Sequence, residues 1–257
     1  MKRFWQIANI LSVVFALVLN FLTGAQILDL PGINEISDKY ATLLTPASYA
    51  FSIWSLVYLL IIVFVVYQAR DIIKPSKKND LPLKMGPFFV IANICNGIWT
   101  YTFAKEHVGF SVFVLLLLTM SLYILLYKLK IAIYDAPKST IAFIWWPLLI
   151  YTGWVSIAAV VNIASWLASL GVAITPVIAC SVLVVLTLVL LGLLISRNVR
   201  ELVFASAWGI AAIGVQQMSG SQTVASTAFA LSSVLAVAAL MHAFSNRKTN
   251  PFLNHKN

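Results

Sequence analysis

Along this chain, polar residues interrupt the apolar ones only in brief clusters. Eight apolar stretches emerge, near residues 4–24, 46–69, 85–105, 108–132, 140–166, 174–196, 201–218 and 222–245. Each approaches the roughly 20 residues that a helix needs to cross a ~30 Å hydrocarbon layer. No alternating barrel pattern appears, and lipid offers no partner to open backbone groups, so the stretches are predicted to be helices. The expected class is an all-α membrane protein with eight transmembrane helices.

The second stretch organises the rest. Thr45 is expected to cap it and Pro46 to occupy its first turn, where a missing N–H costs nothing. Phe51, Trp54 and Tyr58 follow at spacings of three and four, so three rings share a face. In the third stretch Asn96, Trp99 and Phe103 share a face, and in the fifth Trp154, Ala158, Asn162 and Trp166 form a ridge. At about 1.5 Å per residue, Trp54, Asn96, Trp99, Trp154 and Asn162 lie roughly 6–18 Å from the same end of their helices. They are expected to converge beneath the 25–45 connection, which reads either as a lid or as a disordered segment. Aromatic stripes and buried amides are also what ordinary helix packing produces, and Asn9, Asn20 and Asn93 read first as interhelical hydrogen-bonding groups.

Composition agrees with lipid as the solvent: 61% of the 257 residues are hydrophobic, 10% are charged, and mean hydropathy is +0.94. The net charge of +9 does not point to nucleic acid once its distribution is considered. With the N-terminus cytoplasmic, all Lys and Arg but Lys39 and Lys105 fall on the cytoplasmic side. That bias predicts both termini inside, in a multi-pass protein of the plasma (inner) membrane facing anionic headgroups. Trp145 and Trp146 read as interfacial belt residues. Cys95 and Cys180 fall in spans and read as free buried thiols. The sixth stretch is featureless, while the seventh and eighth are rich in Ala, Ser and Gly and read as packing helices. The segment 70–84 and the tail 247–257 read as solvated polar connections.

The organised stretches resemble the tryptophan-rich sensory protein family, also called the TspO/MBR or translocator protein family. Pro46, Phe51, Trp54 and Tyr58 match its second helix; Asn96, Trp99 and Phe103 match its third; Trp154, Ala158 and Asn162 match its fifth. Thr45 and Ile150 stand where members carry proline. The resemblance covers about residues 1–170. It implies a five-helix bundle there; the three additional helices over 171–246 have no counterpart in the short five-helix members, are set off by the shift from Trp-rich to small-residue helices, and precede the tail. It also implies a pocket for a tetrapyrrole or sterol-like ligand lined by the ten matched residues, in a bundle that is often dimeric.

No span carries Asp, Glu, Lys or Arg at its middle, where proton relays and ion-coupled pumps usually place one. There is no phosphate-binding loop, metal-ligand cluster, or nucleophile beside a base. The expectation is therefore a non-enzymatic receptor or carrier of a hydrophobic planar ligand, with no resident cofactor or metal. A small-molecule transporter and a structural or interaction subunit are the alternatives.

Overall fold

The computed structural model describes residues 1–72 and 80–245. Lys74, Pro75, Lys77 and Lys78 of the basic connection, and the tail from Asn246, lie outside the described residues. Long helices occupy all eight apolar stretches: α1 (Lys2–Gly24), α2 (Ile53–Ala69), α3 (Phe88–Ala104), α4 (Val108–Lys128), α5 (Trp146–Ser169), α6 (Pro176–Arg197), α7 (Arg200–Gln217) and α8 (Gln222–Ser245). No strand occurs among the described residues.

Six segments are long and apolar enough to cross a bilayer: Lys2–Gly24, Ser48–Ala69, Val108–Lys128, Lys138–Ser169, Pro176–Arg197 and Gln222–Ser245. The all-α membrane class stands, and the expected count of eight spans meets two shorter helices. α3 has 17 residues, about 26 Å of helix. α7 has 18 residues, with Arg200 and Glu201 in its first turn and Gln216 and Gln217 in its last. Both are shielded by longer neighbours, α3 between α1 and α4, and α7 between α5 and α8.

The start of α2 corrects the capping expectation. Thr45 does not cap a helix; its Oγ1 accepts the Thr42 N–H at 2.8 Å and closes a tight turn instead. The chain enters α2 through a 3-10 turn, Ser48–Ser52, which has no side-chain cap. The backbone finds partners on α7: Ala47 N–H donates to the Ala212 carbonyl at 3.0 Å, and Trp208 Nε1 donates to the Ala50 carbonyl at 3.3 Å. A neighbouring helix thus does what a cap would do.

α5 is continued on its N-terminal side by a wide π turn, Ile141–Trp145, and a short helical turn, Lys138–Thr140. Pro147 follows at the start of the α-helical part. It has no N–H to give and its ring would crowd a carbonyl one turn back, and the wider π turn relieves both. α6 begins with Thr175, whose hydroxyl accepts the Ile178 N–H at 3.3 Å, followed by Pro176, and ends at Asn198 with φ 56°.

Five helices form a closed ring: α1 packs on α2 and α3, α3 on α4, α4 on α5, and α5 on α2. α7 lies against the outside of α5, α8 against α7, and α6 against α8. One apolar core contains residues from all eight helices. Without a hydrophobic drive between helices in lipid, close backbone approach has to hold such a bundle together. The tightest approach is at Gly153, where an added Cβ would lie 2.3 Å from the Leu202 carbonyl oxygen. Ser206 Oγ donates to the Gly153 carbonyl at 3.0 Å, which fixes the same crossing. Cys95 and Cys180 are both free thiols.

Gly153→Ala is therefore expected to separate α5 from α7 and lower stability by about 1–3 kcal/mol. Gly192 on α6 has nothing within 4 Å of its would-be Cβ, so Gly192→Ala should leave stability unchanged or slightly raised. Thermal unfolding in detergent of the two variants beside the native chain checks this contrast.

Candidate ligand-binding site

The aromatic stripes of α2, α3 and α5 meet inside the ring. Trp54 is the centre of the cluster: its ring lies 5.7 Å from Trp99, 6.3 Å from Trp154, 6.2 Å from Tyr151 and 5.2 Å from Tyr58. Phe51 meets Trp154 edge-on at 6.1 Å, and Phe103 stacks on Trp99 at 5.8 Å. The 3-10 turn eclipses side chains three apart, which keeps Phe51 and Trp54 on one side where the second helix begins.

These groups surround a small hollow. Pro46, Phe51, Trp54, Trp99, Phe103, Trp154, Ala158 and Asn162 all line it. Its free volume is about 20 Å³, room for about one water molecule. Tyr58 lines a broader recess of about 500 Å³ between α1 and α2, with Leu17, Asn20 and Phe21. Ile33, Phe51 and Trp54 belong to both cavities, and the two rings form the wall between them under Ile33. Asn96 lines neither cavity. Its Oδ1 accepts from Asn20 Nδ2 at 2.8 Å, on the α1 side of α3.

Polar groups around the hollow are partly committed. Asn162 Oδ1 accepts the Trp99 Nε1–H at 2.6 Å, and its Nδ2 donates to Ser111 Oγ at 3.0 Å. Asn20 Oδ1 accepts from the Tyr58 hydroxyl and from Thr100 Oγ1, the latter at 2.7 Å. By contrast, among the described residues the buried Nε1–H groups of Trp54 and Trp154 and the Ser37 hydroxyl have no partner. Buried donors left unpaired are costly, and such exceptions are worth explaining. Trp166 continues the α5 ridge but not the site: it is half-exposed against Gly109. Trp145 is buried edge-on against Tyr134 instead of standing in a lipid-facing belt, while Trp146 donates to Glu201 at 3.0 Å.

The 25–45 connection is an ordered cover. It contains a short helix, Ile33–Lys39, with Ile36, Ser37 and Leu44 buried, and Ile33 and Ser37 roof the hollow. Lys39 Nζ and the Tyr40 hydroxyl both donate to Glu106 Oε2, at 2.5 Å and 2.7 Å. Glu106 holds a left-handed backbone, φ 60°, just beyond α3. On the other side, Gln217 Nε2 reaches the Thr42 carbonyl at 3.5 Å. The Lys39 hydrogen bond, then that of Tyr40, holds the Glu106 carboxyl below its usual range. The same carboxylate pushes Lys39 and Tyr40 upward.

A family model described as TSPO-like protein matches residues 6–241. The chain belongs to the TSPO-like protein family. The matched span takes in α6–α8, well past the residues on which the resemblance was read. Searches of curated proteins and of solved structures returned no significant match. Three features of this TSPO-like chain were not anticipated from sequence: the Lys39–Tyr40–Glu106 latch, the Ser111 partner of Asn162, and the grip of α7 on residues 42–50. A lone acidic residue just past a span, and a tryptophan in a small-residue helix, were the available signals.

The latch sets a pH dependence. A carboxyl with a depressed pKa keeps its contacts above the ordinary carboxylate range and loses them as pH falls through the depressed value. Amide hydrogen exchange over residues 33–45 is expected to accelerate in Glu106→Gln and in the native chain only at acidic pH below that range. Exchange in the middle of α4 and α5 should not change.

Proposed function

We propose that this TSPO-like chain is a membrane receptor or carrier for a hydrophobic planar ligand of the tetrapyrrole or sterol-like class. The observation that carries the reading is the convergence of Trp54, Trp99 and Trp154 under an ordered cover, with two indole N–H groups unpaired. Flat rings stack on indoles, each contact adding about 0.5–1.5 kcal/mol beyond burial. Unpaired N–H donors suit a ligand with carbonyl or carboxylate acceptors at its edge. The hollow as it stands, about 20 Å³, is a closed state, because sites for such molecules span about 300–1,000 Å³. Binding in this reading displaces Phe51 and Trp54, the shared wall, and joins the hollow to the 500 Å³ recess. No catalytic step is assigned. The cationic ends of the helices, with Lys2, Arg70, Lys128, Lys138 and Arg197 among them, support a cytoplasmic N-terminus in the inner membrane.

A second reading has one observation in its favour. A nearly filled aromatic cluster is what a purely structural or interaction subunit would contain. Titrating protoporphyrin into the detergent-solubilised chain and following tryptophan emission separates the two. The receptor reading predicts saturable quenching, weakened about tenfold or more in Trp54→Leu/Trp99→Leu. Absence of saturable quenching, or equal affinity in the variant, returns the cluster to packing. Flux of the bound molecule into proteoliposomes would distinguish a carrier from a receptor.

A further inference from the structure

A separate groove, which shares no lining residue with the hollow, opens between the start of α2, α5 and α7. Its free volume is about 450 Å³, and Ser52, Ile53, Leu56, Ile150, Phe204 and Trp208 form most of its wall. Phe51 and Trp54 face the hollow, whereas Ser52, Ile53 and Leu56 face the groove. The groove depends on α7, the helix that the five-helix ring does not include. Leu56, Phe204 and Trp208 are exposed in the isolated chain, so the groove is reached from the bilayer side.

Among the described residues, one charged group lines it. Glu201, in the first turn of α7, is half-buried there. Among the described residues it makes no ion pair, and the Trp146 indole is its hydrogen-bond partner, leaving further acceptor capacity. Of the two cations beside it in the chain, Arg197 is stacked on Tyr127 at 3.6 Å, and Arg200 makes no ion pair with it among the described residues. From Glu201 to Trp208 the groove follows seven helical residues, roughly 10 Å. A carboxylate at one end of an apolar, aromatic-walled channel complements a molecule with one positive charge and an apolar body of that length. In lipid such a charge is poorly screened; Phe204, one turn from Glu201, adds cation–π attraction, and Trp208 offers its ring to the apolar body.

We propose that this groove is a second binding site, selective for amphipathic monocations, with Glu201 as the counter-ion and Trp208 and Phe204 as the aromatic wall. It is independent of the tetrapyrrole reading, because none of its lining residues faces the hollow.

The test uses two ions of equal size and shape and opposite charge, tetraphenylphosphonium and tetraphenylborate, with the full chain in lipid nanodiscs. Equilibrium dialysis is expected to show saturable uptake of the cation and none of the anion beyond the lipid background. Glu201→Gln should weaken cation binding tenfold or more. Leu56→Trp, which keeps Glu201 and fills the groove, should do the same. Gly192→Ala, which lines neither cavity, should leave it unchanged. Equal uptake of both ions, or native affinity in both Glu201→Gln and Leu56→Trp, overturns the proposal.

Discussion

Everything in the interior of this bundle depends on the packing of one indole. Trp54 of α2 touches Trp99 of α3 and Trp154 of α5, so three of the five ring helices are referenced to a single side chain. In water, burial alone would favour such a cluster. In lipid the surrounding chains are as apolar as the rings, and what remains is contact geometry and hydrogen bonding. The Trp99–Asn162–Ser111 hydrogen bonds supply the second ingredient and pin α3, α5 and α4 at one level. The Asn20–Asn96–Tyr58–Thr100 set does the same for α1, α2 and α3. Two polar knots and one aromatic centre thus account for the ring.

The additional helices have a definite mechanical part. A chain that enters a membrane helix without a cap leaves backbone donors and carbonyls to be satisfied, and in α2 these fall next to the site. α7 meets that need through Ala212 and Trp208, and Gln217 ties the same helix to Thr42 of the cover. The close crossing at Gly153 then transmits the position of α7 to α5, on which Trp154 stands. Two walls of the hollow are therefore held by a helix that contributes no side chain to it.

Much of this was legible beforehand, and the limits have physical causes. Helical periodicity and depth placed Trp54, Trp99, Phe103, Trp154, Ala158 and Asn162 around one hollow because each lies on a regular helix whose faces follow from spacing, and Phe51 joins them because the 3-10 turn that carries it keeps a spacing of three. Asn96 shares a stripe with Trp99, yet it turned to Asn20. A short amide at the edge of a stripe is drawn to the nearest acceptor or donor, and that partner lies 76 residues away in sequence. Thr45 looked like a cap because its local context is that of one; a tertiary partner on α7 took the role. The latch joins residues from separate connections, and no local pattern specifies such a pairing. The free volume of the hollow is a matter of rotamers in a filled core, which spacing does not determine.

The most direct test of the central claim is fluorine NMR of the chain labelled with 5-fluorotryptophan, in which each of its eight tryptophans reports separately. On addition of protoporphyrin, the account predicts that the resonances of Trp54, Trp99 and Trp154 move together and saturate, while Trp5 and Trp166 stay in place. Stationary signals at all three central positions, or equal movement at all eight, would contradict it.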